Sequence, residues 1–239
     1  MVTIATTMTL GEVVTEHPSL ARELERLDLD YCCGGRRTID AACAERGLDA
    51  AAVIAELTRS ARERAAPPWA TMDVAELVEH IESVHHRYLW DELPRLSAIL
   101  DKVVDRHGAS HPELADVRRC YEELRADLEP HLRKEEQVLF PMIRELATAQ
   151  ELPTFHCGSV ANPISRMLTE HDAAGDLLTR LRELTNRYVP PADGCASFRA
   201  CYDGLAELDA DTRLHIHKEN NVLFPAVLRI EHALVDSSP

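Results

Sequence analysis

The sequence predicts an all-α protein, a four-helix bundle preceded by a small helical domain. Three observations carry this. Gly accounts for only 9 of the 239 residues and aromatic side chains for 5%, while Ala, Leu, Glu and Arg, which all favour helix, are abundant. Alternating Val/Ile/Thr runs bounded by turn residues, which would mark strands, are absent. From residue 73 onward the same helical hairpin is written twice. With a hydrophobic fraction of 45%, the chain has ample material for a packed core.

From the amino terminus, the first domain spans residues 1–65. Leu20, Leu24 and Leu27 recur at helical spacing, the chain breaks at Cys32-Cys33-Gly34-Gly35, and two helices follow, over Thr38 to Arg46 and Leu48 to about Arg64. Thr38 suits an N-cap, offering a side-chain oxygen to the first unpaired amides, and Gly47 suits a left-handed stop. A linker occupies 66–72, because Pro67 and Pro68 resist helix and favour extended chain. The bundle domain covers 73–239 in four helices, roughly 73–107, 113–147, 161–188 and 195–232, broken at Gly108 to Pro112, Gln150 to Pro163 and Pro190 to Gly194. At 1.5 Å per residue these would be about 40 to 57 Å long, enough for a four-helix bundle. Pro94 and Pro130 fall inside two of them and should kink them.

The duplication carries the chemistry. His131-Leu-Arg-Lys-Glu135-Glu-Gln-Val-Leu-Phe-Pro141 aligns without a gap on His215-Ile-His-Lys-Glu219-Asn-Asn-Val-Leu-Phe-Pro225. Upstream, His86 and His171 are followed at identical offsets by Asp, Leu, Arg and Leu. Each half therefore offers one His on its first helix and a His-x-x-x-Glu on its second, and residues at i and i+4 share a helical face. A single His/Glu pair of this kind is usually a solvated contact. Two copies, each with a matching upstream His, make a six-ligand set for two transition metals: His86, His131, Glu135, His171, His215 and Glu219, with the two Glu bridging. Imidazole and carboxylate donors without thiolate suit iron or manganese rather than zinc or an iron-sulfur cluster. The Val-Leu-Phe-Pro after each pair reads as packing and helix-end geometry.

His85 competes with His86, since neighbours on a helix point about 100° apart. Val78 and Ile81 favour His85; Leu93, Leu96 and the register with His171 favour His86, which we assign. His80, His107, His111, His217 and His232 have no partner in the repeat and are expected on polar faces or behind the ligands.

Charge and cysteine content set the class. A net charge of -15 from 41 acidic and 26 basic residues excludes nucleic acid and anionic membrane as default partners. No apolar run approaches the roughly 20 residues that span a bilayer, and nothing near the start suggests export, so a soluble cytoplasmic protein is expected. Seven Cys, an odd number without a C-x-x-C pair, fit reduced thiols. Cys43, Cys120, Cys157, Cys195 and Cys201 are expected to be structural.

At these residues the sequence resembles the hemerythrin-like (HHE) cation-binding domain. With Leu29-Asp-Tyr-Cys-Cys-Gly-Gly35, Thr38 and Cys43 near the amino terminus, it is similar over nearly its whole length to the repair of iron centres (RIC) family of di-iron proteins. Gly158-Ser-Val-Ala-Asn-Pro-Ile164 and Glu170-His-Asp172 also fit. The resemblance implies that the six residues hold two non-haem iron ions, bridged by Glu135, Glu219 and an oxo or hydroxo group. It further implies that the protein restores iron-sulfur clusters damaged by nitric oxide or oxidants by supplying iron, as a stoichiometric donor rather than a conventional enzyme, with no catalytic residue. Its partners would be damaged iron-sulfur proteins, nitric oxide or oxygen as small ligands, and a second chain in a homodimer. The HHE pattern alone does not separate repair from an oxygen or nitric oxide binding or sensing protein, or from a di-iron nitric oxide reductase.

Two further assignments lean on the same likeness. Cys32 and Cys33 lie beside two glycines at a helix break, where a partner or small electrophile can approach, and Arg36, Arg37 and the following helix N-terminus would favour thiolate. The resemblance adds a redox, nitrosyl or iron-transfer role. Glu170, beside His171, is the candidate for gating the centre.

Overall fold

The computed structural model describes residues 4–61 and 68–236, and among these there is no strand, only isolated bridges at Thr9–Thr38 and Phe155–Gly158. The chain is all-α. Its first helices are α1 (Leu10–Glu16), α2 (Ala21–Arg26), α3 (Ile39–Arg46) and α4 (Ala50–Ala61). Residues 62–67, including the first part of the expected linker, lie outside the described residues; Pro68–Thr71 form a short 3-10 turn rather than extended chain. Then come α5 (Val74–Ile81), a π-helical segment Glu82–His86 and α6 (Arg87–His107); α7 (Leu114–Lys134), a π segment Glu135–Leu139 and α8 (Phe140–Thr148); α9 (Ala161–Leu184); and α10 (Ala196–His217), a π segment Lys218–Leu223 and α11 (Phe224–Asp236).

The π segments are the main departure from the expected helices. Both α6 and α7 stay α-helical through Pro94 and Pro130. Two of the three π segments fall in the repeat. Each Phe-Pro follows one: Pro141 has no N–H for the Gln137 carbonyl and Pro225 none for that of Asn221, so the regular ladder cannot close there and a wider turn accommodates the extra residue. Val-Leu-Phe-Pro therefore joins two helical stretches and does not end the helix.

Two boundaries also differ. The third helix stops at Leu184, four residues early, because Asn186, Arg187 and Tyr188 take left-handed φ of 48°, 60° and 62°. The Thr185 hydroxyl organises this stop, donating to the Leu181 carbonyl at 2.8 Å and accepting from the Tyr188 amide at 3.1 Å. The α1 helix was not anticipated, although Thr9-Leu-Gly-Glu12 is a capping box: the Thr9 hydroxyl accepts from the Glu12 amide and the Glu12 carboxylate from the Thr9 amide.

The chain forms two compact units. One comprises Glu79–Glu145 and Thr154–Arg213. Its core is built from stripes at helical spacing: Leu89, Leu93, Leu96, Leu100 and Val103 on α6; Val117, Tyr121, Leu124 and Leu128 on α7; Ile164, Met167, Leu178 and Leu181 on α9; Phe198, Cys201, Leu205 and Leu208 on α10. His131 and His171 occupy positions in these same stripes, where the periodicity calls for apolar side chains. Asp209 on α10 is buried and is held by Arg182 at 2.6 Å and Arg213 at 2.6 Å, so its charge is fully paired.

The other unit comprises Met1–Val78, Leu146–Pro153 and Leu214–Pro239. Residues 6–10 run beside 37–40, with amides of Leu10 and Ile39 donating to the carbonyls of Arg37 and Met8, each at 2.9 Å. Thr38 caps α3, and Gly47 ends it at φ 66°, as the sequence implies. The loop between α2 and α3 is fastened to the π segment Lys218–Leu223: the Asn221 amide donates to the carbonyls of Tyr31 at 3.3 Å and Cys32 at 3.2 Å. That contact needs glycine at 35, since a Cβ there would stand 2.5 Å from both Asn221 Oδ1 and the Tyr31 carbonyl.

Gly35→Ala should therefore destabilise the protein by about 1–3 kcal/mol, the usual penalty for overpacking. Thermal unfolding followed by circular dichroism would show it as a lowered Tm.

Candidate metal centre

In the larger unit, His86 ends the first π segment, His131 and Glu135 lie one turn apart where α7 passes into the second, and His171 faces them from α9. Their ligand atoms converge. Glu135 Oε2 lies 3.4 Å from His86 Nε2 and 3.3 Å from His131 Nε2, and Glu135 Oε1 lies 4.0 Å from His171 Nε2. His131 Nε2 and His171 Nε2 are 3.2 Å apart. All four residues are at most 3% exposed.

The outer nitrogens decide what this cluster can do. His86 Nδ1 lies 3.0 Å from Glu136 Oε1, and His131 Nδ1 lies 3.0 Å from Glu170 Oε2. A carboxylate only accepts, so each Nδ1 donates outward, and each Nε2 is turned toward Glu135. Nitrogens and carboxylate oxygens gathered this closely in a buried space suit a cation between them. The donor set fits a metal. Carboxylate-backed imidazoles are the usual outer arrangement of metal-binding histidines.

In the smaller unit, His215 and Glu219 repeat the pair, with Nε2 and Oε1 3.3 Å apart and both side chains at most 1% exposed. His217 was expected on a polar face or behind the ligands. It is fully buried among Tyr31, Trp69 and Thr15, and burial pushes its pKa down to about 4, so it is a neutral packing residue of this unit.

Of the two adjacent histidines, His86 turns its Nε2 to Glu135, whereas His85 places Nδ1 2.9 Å from Asp211 Oδ1. Glu170 is not a loose surface charge. It accepts from His131, Lys134 and Arg166, and these bonds hold its carboxyl down to about 2. Glu170, Lys134 and Arg166 also line a cavity of about 280 Å³ that reaches His131 and His171. Glu136 was missed: its carboxyl is held below the usual range by the bond from His86 and, more weakly, by that from Trp90. A one-letter motif reveals no such contact, because Glu136 aligns with Asn220 in the second copy.

Comparison with known proteins places this geometry. Residues 77–227 match the hemerythrin HHE cation binding domain, and residues 6–61 match the ScdA_N domain of unknown function (DUF542). The iron-sulfur cluster repair protein YtfE of Enterobacter sp. (strain 638) is 36% identical over 219 residues, covering 92% of this chain and 96% of that protein. The chain belongs to the hemerythrin-like repair of iron centres family. The proteins of the same name from Citrobacter koseri, 36% identical, and Escherichia coli O8, 35% identical, match with the same coverage.

In this member of the family the amino-terminal dithiol is ordered by an aspartate the sequence reading passed over. Asp30 Oδ1 accepts from the amides of Cys32 and Cys33, each at 3.1 Å, and Oδ2 from that of Gly34 at 2.9 Å. The Cys32 thiol donates to Asp30 Oδ1 at 3.2 Å and lies 3.7 Å from the Cys33 sulfur. Cys32 thus faces a carboxylate. The Arg37 guanidinium stands beside the same carboxylate, 3.8 Å from Asp30 Oδ2, and also binds Glu45 at 2.5 Å. Asp30, Cys32 and Cys33 offer three donor atoms within 4.8 Å of one another.

The other cysteines separate by environment. Cys43, Cys120 and Cys201 are buried, and burial pushes Cys201 up to about 12. Cys195 is exposed just before α10, where the amides of Phe198 and Ser197 lower its pKa. Alkylation of the native protein at pH 8, read by peptide mass spectrometry, should label Cys195 well ahead of Cys43, Cys120 and Cys201, with Cys201 reacting only on unfolding.

Proposed function

We propose that this chain repairs iron-sulfur clusters damaged by nitric oxide or oxidative stress, and that it does so by supplying iron from a buried di-iron centre. The observation that carries the reading is the pair of carboxylate-backed imidazoles whose Nε2 atoms are turned onto one buried glutamate, Glu135. The internal repeat extends it: His86, His131, Glu135, His171, His215 and Glu219 together hold two irons, with Glu135 and Glu219 bridging. The printed name of the relatives, iron-sulfur cluster repair protein, supports the repair role.

The chain's own residues have separable tasks in this reading. Glu135 and Glu219 supply the anionic charge at the centre of the set, and the histidines supply neutral nitrogen donors at its edges. Bound there, two irons provide exchangeable metal and open positions for nitric oxide or oxygen. Glu170, tied to Lys134 and Arg166 beside the cavity, controls access to His131 and His171. Cys32 and Cys33, with Asp30, receive iron or react with nitric oxide. A domain over 1–65 carries the dithiol and a bundle over 73–239 carries the iron, joined at 66–72.

No helix among the described residues is long and apolar enough to cross a membrane. We place the protein in the cytoplasm with damaged iron-sulfur proteins as partners, and propose that two chains pair as a homodimer.

Metal analysis of protein purified without added iron should find close to two irons per chain. Replacing Glu135 and Glu219 together by Gln should remove most of that iron; unchanged loading would refute the ligand assignment. Iron-loaded protein mixed with a nitric oxide-damaged cluster enzyme should restore activity beyond what the same amount of free ferrous iron restores. Equal recovery from free iron would refute delivery.

A further inference from the structure

The first hairpin contains a device that the second lacks. His86 is held on three sides. Its Nδ1 meets Glu136 Oε1 at 3.0 Å, its ring stacks on Phe140 with centroids 5.3 Å apart and planes 28° from parallel, and its Nε2 faces Glu135. Glu136 is in turn fixed by Trp90, whose indole N–H donates to the same oxygen at 2.8 Å. Trp90 is itself covered by the Arg133 guanidinium, 5.0 Å from its ring centroid. These residues come from the first π segment (His86), α6 (Trp90), the end of α7 (Arg133), the second π segment (Glu135 and Glu136) and the start of α8 (Phe140).

The repeat shows that this is not a by-product of ligand spacing. Trp90 lies four residues after His86, and the residue four after His171 is Gly175; Glu136 follows Glu135, and the residue after Glu219 is Asn220. Both members of the clamp are therefore replaced in the second copy. There Asn220 serves another purpose, donating to the Cys32 carbonyl at 3.3 Å. A tryptophan and a glutamate that occur together in one copy, and together give way in the other, act as one unit.

We propose that Glu136, clamped by Trp90, is the positioning residue of His86. By accepting from Nδ1 it keeps a proton on the outer nitrogen and holds the ring with Nε2 aimed at the metal position. Trp90 keeps the carboxylate in the imidazole plane's reach, so the ring is aimed before metal arrives. The consequence is tighter and slower-leaving metal at the His86 position. His131 has an outer carboxylate of its own in Glu170, but that one is held by Lys134 and Arg166, so the two imidazoles are braced by different means. This inference rests on His86 being a ligand.

The test uses the full-length protein and three variants, Glu136→Gln, Trp90→Phe and His86→Ala, each checked for helicity by circular dichroism. Two readouts apply: the His86 tautomer in metal-free protein, from its ¹⁵N imidazole shifts, and the rate at which a ferrous chelator strips iron from loaded protein. Glu136→Gln keeps an acceptor but loses the charge; it should mix the His86 tautomers and speed loss of one of the two irons by roughly 10- to 100-fold, the usual effect of removing an outer partner. Trp90→Phe should move both readouts the same way by less. A folded Glu136→Gln protein with unchanged tautomer and unchanged release overturns the proposal. Should Glu136→Gln fail to fold, Trp90→Phe decides, and wild-type values in both readouts overturn it. His86→Ala separates the two readings: if it retains all its iron, the ligand assignment fails, whereas loss of iron there with no effect of Glu136→Gln sinks the positioning role alone.

Discussion

A carboxylate buried in a helical core is the constraint from which the rest of the structure follows. Burying such an ion costs several kcal/mol unless positive charge or hydrogen bonds offset it. Glu135 and Glu219 are both 0% exposed. Around Glu135 the fold gathers imidazoles, two of which are bonded on their far side to Glu136 and Glu170. Asp209 is handled differently: two arginines meet the buried carboxylate at 2.6 Å. The same unit thus contains one buried carboxylate paired with guanidinium groups and one faced by imidazoles, and the second coincides with the repeat.

The imidazole–carboxylate cluster takes its rigidity from its surroundings. Stripes of Leu and Val on α6 and α7 run directly into His131 and Glu135, so the packing that fixes the helices also fixes the donors. The π turns let this happen without loss of register. Each lies beside one of these side chains, and after the second and third a Phe-Pro follows, where proline withholds the amide that would restore the regular turn.

Much of this was legible in the residues. The helical class, the Thr38 cap, the Gly47 stop and the duplicated His-x-x-x-Glu follow from spacing, since i and i+4 define a face whatever surrounds it. What spacing does not encode is what lies across the bundle. Glu136 reads as a surface charge until Trp90 and His86 are brought to it, and Asp30 reads as part of a turn until its oxygens are seen gathering the amides of Cys32, Cys33 and Gly34. The left-handed turn at Asn186 to Tyr188 escaped because no Gly marks it; a threonine hydroxyl does the work there. The α1 helix had a local signal in Thr9 and Glu12, overlooked beside the longer stripes that follow.

Asn220 and Asn221 stand where the first copy has Glu136 and Gln137, and they bind the backbone of Tyr31 and Cys32. The two hairpins are therefore no longer interchangeable parts. A chain assembled from two first hairpins would keep every His-x-x-x-Glu yet have no asparagine amides to anchor the dithiol loop, and one assembled from two second hairpins would have no tryptophan clamp on either leading histidine. The repeat sets the paired His and Glu, and the divergence of two adjacent side chains divides the labour between bracing a histidine and anchoring the dithiol loop.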